Sequence, residues 1–164
     1  HCSNTNCTAA TITSLDTTGQ VRLSTSVTIG LDGLGLISYF DFSNYDLKVA
    51  HCSNTNCTAA TITSLDTTGS VGLYTSVTIG ADGLGLISYH DDTNDDLKVA
   101  HCSNTNCTAT TITSLDTTGD VGIDSSITIG VDGLALISYH DDTNGDLKVA
   151  HCANTFCSPY FRRR

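Results

Sequence analysis

The chain has 164 residues, enough for one ordinary domain, and a formal charge of −10 from 17 acidic and 7 basic residues. This charge excludes a typical nucleic-acid binder, because such proteins need a lysine- and arginine-rich surface to neutralise phosphates. No apolar run approaches the roughly 18 residues of a membrane helix, and the sequence shows neither an initiator methionine nor a signal peptide. We therefore expect a mature product or a fragment, with no membrane span.

A repeat with a period of 50 residues organises the whole sequence. Residues 1–50, 51–100 and 101–150 are near-identical copies, and residues 151–164 begin a fourth. Repeats of this length are typical of proteins in which each unit buries its apolar face only against its neighbours. The sequence therefore predicts a stack of similar units.

Each copy predicts four strands and no helix. In the second copy, residues 75–80 alternate apolar and polar side chains, and residues 84–90 and 97–102 are rich in β-branched and aromatic residues. The fourth strand is predicted at residues 108–116, and Gly, Asn and Asp lie in the turns. We expect an all-β fold of tandem four-stranded antiparallel repeats, each the size of a propeller blade.

The stretch DGLGLISYHDDTNDDLKVAHC, residues 82–102, resembles the repeat of secreted bacterial β-propeller-type proteins, whose blades carry an "ISYYD…NGDLKVAHC"-like segment. The match covers about two-thirds of every copy. The resemblance implies a propeller blade and an extracellular setting. It implies no catalytic activity and assigns no functional residue.

Counting strands predicts three blades in an open arc or array. Residues 1–16 form a lone strand with a turn, residues 17–66 form blade 1, and residues 67–116 form blade 2. Residues 117–164 form blade 3, which lacks a regular fourth strand because Pro159 has no N–H group for a ladder. The chain thus has one strand too many at its start and one too few at its end.

These two ends predict a joint between subunits. The first strand of one copy would complete the last blade of the next, which gives a filament, or a ring if the rotation closes. A cut from a longer array is the alternative. The predicted joint residues are Thr8, Ala9, Ala10, Thr11, Ile12, Thr13, Ser14, Leu15, Leu147, Val149 and His151.

Eight cysteines form four identically spaced pairs: Cys2–Cys7, Cys52–Cys57, Cys102–Cys107 and Cys152–Cys157. Each pair brackets the turn between strands three and four, where facing Cα atoms about 5.5 Å apart suit a disulfide. A His-Cys-x4-Cys zinc site is disfavoured, because its spacing is unusual and adjacent strand residues point to opposite faces. Disulfides predict an extracellular or cell-surface location. Asn6, Asn56 and Asn106 are candidate N-glycosylation sites.

Most differences between the copies fall in two connections that emerge on the same face of a blade. The carboxylates there are candidate ligands for Ca²⁺, although Asp and Asn are also ordinary turn residues. The candidate residues are Asp91, Asp92, Asp95, Asp141 and Asp142. The sequence indicates no other metal and no cofactor.

No hydrolase or nucleotide-binding motif occurs, and near-identical copies argue against one singular pocket. The sequence therefore predicts a chain without enzymatic activity. The main hypothesis is a structural subunit of an extracellular filament or surface assembly that polymerises with copies of itself. The alternative is a secreted propeller-like module that binds a glycan or a cation, closed by dimerisation or part of a longer array.

Overall fold

The computed structural model describes residues 1–158, apart from the side chain of Arg22, and these residues form eleven strands and no helix. The irregular end predicted for residues 159–164 lies outside the described residues. No helix in the described part of the chain is long and apolar enough to cross a membrane. The strands are β1 (Val21–Ile29), β2 (Gly35–Asp41), β3 (Asp46–Cys52), β4 (Ala60–Asp66), β5 (Val71–Ile79), β6 (Gly85–Asp91), β7 (Asp96–Cys102), β8 (Thr110–Asp116), β9 (Val121–Ile129), β10 (Ala135–Asp141) and β11 (Asp146–His151).

The described strands form three antiparallel sheets, in the orders β1-β2-β3-β4, β5-β6-β7-β8 and β9-β10-β11. We call these sheets blade 1, blade 2 and blade 3. The predicted all-β fold of tandem blade-like repeats is confirmed. The first strand is longer than predicted, because β5 begins at Val71 and pairs with β6 across register shifts that end at Ser76. Apolar alternation is interrupted before residue 75, so the extension could not be predicted from the residue pattern.

Neighbouring blades cover both faces of blade 2. Strand β5 contacts β1, β2 and β3, and β9 contacts β5, β6 and β7. The first strands of blades 2 and 3 therefore pack against strands of the preceding blade. As a result, every residue of β6 is buried. The core lies between the sheets, as expected for units that cannot bury an apolar face alone.

Glycine allows the close approach of one blade to the next. A Cβ atom added to Gly72 would lie 2.7 Å from Leu47 Cα, and one added to Gly122 would lie 2.9 Å from Leu97 Cα. Both glycines have a left-handed backbone, with φ of 104° and 92°, which glycine adopts without steric cost. Leu47 and Leu97 are completely buried as a consequence.

A buried ion-pair network joins blade 1 to blade 2. The Tyr89 hydroxyl donates to Asp66 at 2.8 Å, and the Lys98 ammonium lies 2.7 Å from Asp91 and 3.3 Å from Asp66. The Asn94 amide donates to Asp91 at 2.9 Å. The hydrogen bonds and opposite charges offset the cost of burying these groups. Blade 3 repeats the network through Asp116, Tyr139, Asp141, Asn144 and Lys148.

The structure has no strand at residues 8–16, where the sequence predicts one. An isolated bridge joins Cys2 to Ala10, and Ile12 is 92% exposed. Strands β4 and β8 pair with a third strand of their own blade, whereas residues 8–16 have no such partner among the described residues. Asp16 nevertheless accepts a hydrogen bond from Tyr39 at 2.8 Å, so it takes the place of the last residue of a fourth strand.

All four predicted disulfides are formed, and their Cα atoms are 4.8–4.9 Å apart. The zinc alternative does not hold for these pairs, because the sulfur atoms are bonded to each other. The adjacent histidine has a different partner: His101 Nε2 lies 2.7 Å from Asp82 Oδ2. The stapled turns are therefore structural.

One face of blade 3 is exposed, whereas the next blade covers the equivalent face of blades 1 and 2. Leu147 is 81% exposed and Val149 is 57% exposed, whereas Leu97 and Val99 are completely buried. The local sequence is the same in both blades. The difference in burial therefore comes from the neighbouring blade and not from the strand itself.

Replacing Leu97 with alanine should lower the free energy of unfolding by about 2–5 kcal/mol, because it removes a buried side chain between blades 2 and 3. Leu147→Ala changes the same repeat position where it is 81% exposed, and should alter the free energy by less than about 0.5 kcal/mol. Chemical denaturation measures both values. Equal losses in the two variants would contradict the stacking of blades.

Asp41 should make the stability depend on pH. Burial acts to raise the pKa of this carboxyl, but hydrogen bonds from Lys48, Asn44 and the Ser43 amide lower the pKa to about 2. Because this pKa lies below the ordinary value of 3.8, Asp41 stabilises the fold above about pH 4. The contribution, about 2 kcal/mol, is lost as the pH falls towards 2.

Asp41→Asn should therefore flatten the decline in unfolding free energy between about pH 4 and about pH 2. Asp142→Asn is the matched control, since this side chain is 63% exposed and the slope should not change. Urea denaturation at closely spaced pH values measures the slopes. An Asp41→Asn profile as steep as that of the wild type would show that the lowered pKa is not the cause.

Candidate functional site

Most positions that differ between copies lie together at one end of the strands. In blade 2, the Asp92 amide donates to the Ser70 carbonyl at 2.9 Å, which ties the hairpin between β6 and β7 to the connection that enters β5. The equivalent bond in blade 3 joins Asp142 to Asp120. We call this end the variable face. The disulfide turns lie at the opposite end of the strands.

A concave pocket lies where the first strands of the three blades meet. Strand β5 contacts β1 on one side and β9 on the other. The cavity has a volume of about 500 Å³, which is typical of ligand sites. We call it the inner-strand pocket, and its lining residues are Leu23, Ser24, Leu73, Tyr74, Thr75, Asp124 and Ser125.

Three equivalent positions with unusual backbone conformations line this pocket. Ser24, Tyr74 and Asp124 have φ of 49°, 52° and 51°, a region that costs a non-glycine residue about 1 kcal/mol or more. The pairing register of the first strand shifts at this point, as at a β-bulge, which redirects a side chain. One backbone feature therefore presents a hydroxyl, a phenol ring and a carboxylate to the same cavity.

Hydroxyl groups hold the inner strands in place beneath the pocket. Thr75 donates to Ser38 at 2.9 Å, and the Ser125 and Ser88 hydroxyls are 2.8 Å apart. Ser125 lies on β9 and also lies within 2.9 Å of the Tyr74 carbonyl on β5. These bonds link adjacent blades, so the pocket wall is fixed by the scaffold.

The lining combines an apolar surface with polar groups. The Tyr74 side chain is 37% exposed, and Asp124 is exposed beside it. A ligand with an apolar face and hydroxyl groups around its edge matches this combination, because the ring can stack and the carboxylate can accept hydrogen bonds.

A second polar group lies at the junction of blades 2 and 3. His90 Nδ1 is 2.8 Å from the Val121 carbonyl, and Nε2 is 3.9 Å from Asp120 Oδ1. One ligand atom each from His90, Asp95 and Asp120 lies within 4.8 Å of the others. The His90 and Tyr74 rings are 6.1 Å apart, so this group borders the inner-strand pocket. Its composition is that of a metal-binding group.

The predicted Ca²⁺ site is corrected at two of its residues. Asp91 and Asp141 are buried and pair with Lys98 and Lys148, so they belong to the networks between blades. This pairing could not be predicted from the sequence. Adjacent acidic residues such as Asp91 and Asp92 are chemically identical, although their side chains point to opposite faces of the sheet. Of the other predicted residues, Asp95 belongs to the His90 group.

Asp92 and Asp142 are exposed near histidines. Asp92 Oδ1 lies 4.0 Å from His90 Nε2, and Asp142 Oδ1 lies 3.9 Å from His140 Nδ1. His90 and Asp120 were not predicted as ligands, because they are 30 positions apart in the sequence. Both residues could have been found from the repeat, because each stands at a position where the copies differ.

The residues predicted for a subunit joint lie in two places. Leu15 lines a small cavity on blade 1 with Val21 and Ile37, and residues 8–14 before it are exposed. Leu147 and Val149 lie on β11 with exposed side chains. The joint stays a prediction. The candidate glycosylation sites, Asn6, Asn56 and Asn106, are exposed, and their modification also stays a prediction.

No family model and no curated protein matches this chain, whereas several solved structures do. An α-L-arabinofuranosidase from Lactobacillus brevis has a TM-score of 0.56 and 14% identity over 82% of this chain and 50% of its own. An exo-β-1,3-galactanase from Phanerochaete chrysosporium, solved with galactose, has a TM-score of 0.59 and 15% identity over 87% of this chain and 38% of its own. An α-L-arabinofuranosidase from Fusarium graminearum has a TM-score of 0.56 and 12% identity over 92% of this chain and 50% of its own.

The chain spans half or less of the length of these three proteins. The expectation of a chain without enzymatic activity is contradicted by these matches, because the three proteins that share its fold are named as glycoside-cleaving enzymes. Near-identical copies do not exclude a singular pocket, because the inner-strand pocket takes a different side chain from each blade. A repetitive scaffold can therefore build one singular site, and this scaffold is a propeller-type fold of the kind those enzymes have.

Proposed function

We propose that the chain recognises a carbohydrate in the inner-strand pocket, as part of a secreted propeller-type module that acts on or binds glycans. The observation that carries the proposal is the convergence of Ser24, Tyr74 and Asp124 on one cavity of about 500 Å³. Each blade contributes one of these residues from the same backbone position.

The chemistry of the three side chains matches that of a sugar. A pyranose or furanose ring has an apolar face of C–H groups, which the exposed ring of Tyr74 can cover. The Asp124 carboxylate can accept strong hydrogen bonds from sugar hydroxyls. Ser24 Oγ accepts a hydrogen bond from the Tyr74 amide at 2.7 Å and keeps its own proton for a ligand oxygen.

The structural neighbours support this choice of ligand. Two are described as α-L-arabinofuranosidases and one as an exo-β-1,3-galactanase solved with galactose. These names describe the matched proteins and not this chain. They indicate that arabinose- and galactose-containing oligosaccharides are the first ligands to test.

The disulfides support a location outside the cytosol. All eight cysteines are paired, and such bonds persist in oxidising compartments. We infer that the module works in an extracellular environment, where polymeric glycans are accessible to a protein with an open pocket.

A filament of head-to-tail copies is the second candidate function. One observation favours it: the apolar face of blade 3, with Leu147 81% exposed and Val149 57% exposed, is the face that the next blade covers elsewhere. The sequence also contains an opposing feature, since residue 22 is arginine where Gly72 and Gly122 allow close approach. Blade 1 of a second copy therefore cannot repeat the glycine-on-leucine contact against blade 3.

Tyr74→Ser and Asp124→Ser should each weaken oligosaccharide binding about tenfold or more, or about 1.4 kcal/mol. Both variants carry the residue that blade 1 already has at this position, so folding should be preserved. Titration calorimetry with oligosaccharides from β-1,3-galactan and arabinan measures the affinity. An assay for released sugar shows whether binding leads to cleavage, in which Asp124 would be one of the two carboxylates that hydrolysis uses.

Tyr45→Ser is the matched control. Tyr45 is 47% exposed on the variable face and also has a left-handed φ, 62°, but it does not line the inner-strand pocket. Binding should be unchanged in this variant. Equal weakening by Tyr45→Ser and Tyr74→Ser, or no binding of any of these sugars by the wild type, would contradict the proposed site.

Arg22→Gly tests the filament directly. If copies associate through blade 1 and blade 3, the glycine should raise the average mass in light scattering, because it permits the close contact with Leu147. Adding Leu147→Asp should reverse the increase by placing a charge in that interface. A chain that stays monomeric with glycine at position 22 would argue against this mode of assembly.

A further inference from the structure

His90 has a buried side chain whose Nε2 makes no hydrogen bond. The side chain is 4% exposed, and its Nδ1 lies 2.8 Å from the Val121 carbonyl, so Nδ1 carries the proton and donates. In the neutral ring, Nε2 then has a lone pair to share. Its polar neighbours, Asp120 Oδ1 at 3.9 Å and Asp92 Oδ1 at 4.0 Å, are carboxylate acceptors and cannot donate to it.

Asp120 contributes a second unsatisfied atom at the same place. Its Oδ1 is buried and is the one buried side-chain N or O atom among the described residues that lacks a hydrogen bond. The Asp120 backbone is fixed, because its amide donates to Thr143 at 2.8 Å and its carbonyl accepts from Asp142 at 2.9 Å. An unpaired nitrogen of a buried histidine thus faces a buried carboxylate oxygen at 3.9 Å, an arrangement that a cation would stabilise.

At the junction of blades 1 and 2, the space equivalent to that around His90 and Asp120 is filled by aromatic side chains. The residues equivalent to His90, Asp95 and Asp120 are Phe40, Tyr45 and Ser70. The Phe40 and Tyr45 rings lie 6.3 Å apart, and Phe40 is 2% exposed. The backbone is the same, since the Val71 amide donates to the Tyr45 carbonyl at 2.9 Å as the Val121 amide does to Asp95 at 3.0 Å.

An aromatic packing at one junction is thus replaced by three metal-ligating side chains at the next. We propose that His90, Asp95 and Asp120 bind a divalent zinc ion at the junction of blades 2 and 3. The hydrogen bond from Nδ1 to a backbone carbonyl is the usual support for a metal-binding histidine, because it fixes the ring and leaves Nε2 for the metal.

The ligand set selects the metal. Imidazole nitrogen with carboxylate oxygen suits Zn²⁺, with bonds of about 2.0–2.2 Å, whereas Ca²⁺ takes six to eight oxygen ligands. The ligand atoms lie within 4.8 Å of one another, and the exposed Asp95 can rotate to close the remaining gap. The exposed Asp92 carboxylate, 4.0 Å from Nε2, is placed to supply a fourth ligand. The Ca²⁺ predicted from the sequence is the competing ion at this group, and it would have fewer oxygen ligands here than it usually takes.

Titration of the whole chain with Zn²⁺ alone, followed by calorimetry, tests the site. We expect one equivalent to bind with higher affinity than any further zinc, and Ca²⁺ to bind at least about tenfold more weakly. His90→Phe should abolish this first equivalent, and it places the blade 1 residue in a backbone that accepts phenylalanine at Phe40. Zinc should also raise the melting temperature of the wild type but not of His90→Phe.

His140→Phe is the matched control, because His140 occupies the same position in blade 3, where residue 145 is glycine instead of an acid. This variant should keep the first equivalent. If His90→Phe does not fold, the second variant is Asp120→Ser, which introduces the residue type found at the equivalent position 70. It must show the same loss of the first zinc equivalent. The proposal is overturned if the wild type binds no tight equivalent, if His140→Phe loses it equally, or if Ca²⁺ binds as well as Zn²⁺.

Discussion

The contact between Gly72 and Leu47 sets the distance at which one blade packs on the next. A sheet of four short strands has no second layer of its own, so its apolar side chains are buried only when a neighbour lies at this distance. At the same spacing, the Asp66 carboxylate reaches Tyr89 and Lys98 of the following blade. The residues that make these contacts are the same at both junctions between blades, because a change in any of them would separate two sheets.

This constraint leaves the variable face free to differ. The two junctions have the same backbone hydrogen bond at Val71 and Val121, yet one is filled by aromatic rings and the other by a histidine and carboxylates. Side chains on this face lie at the ends of the strands and in the turns beyond them, and the backbone contact is the same at both junctions whichever side chains are present. Functional residues can accumulate there without loss of the fold. For this reason, a comparison of copies within the chain locates candidate sites better than a search for motifs does.

The sequence predicts what depends on neighbours along the chain and misses what depends on stacking. Alternation, turn residues and cysteine spacing correctly indicated the strands, hairpins and disulfides. The pairing of Asp91 with Lys98 was missed because Asp66, from the preceding blade, completes it. The nearness of His90 to Asp120 was missed for the same reason. The strand predicted at residues 8–16 has the correct composition but lacks a ladder partner, and a strand requires both.

The left-handed backbone at Ser24, Tyr74 and Asp124 shows how stacking produces a ligand site. The strained conformation occurs in all three blades whatever the side chain, so it cannot have arisen for one ligand. It accompanies the bulge that lets the Tyr74 amide reach Ser24 Oγ and brings Ser125 Oγ to the Tyr74 carbonyl, bonds that hold adjacent inner strands together. The strain is therefore a cost of packing the blades. The Tyr74 and Asp124 side chains take no part in these bonds, so their identity does not affect the packing of the sheet. Serine, tyrosine and aspartate can then stand at one structural position, and three near-identical blades together form a pocket that none of them contains alone.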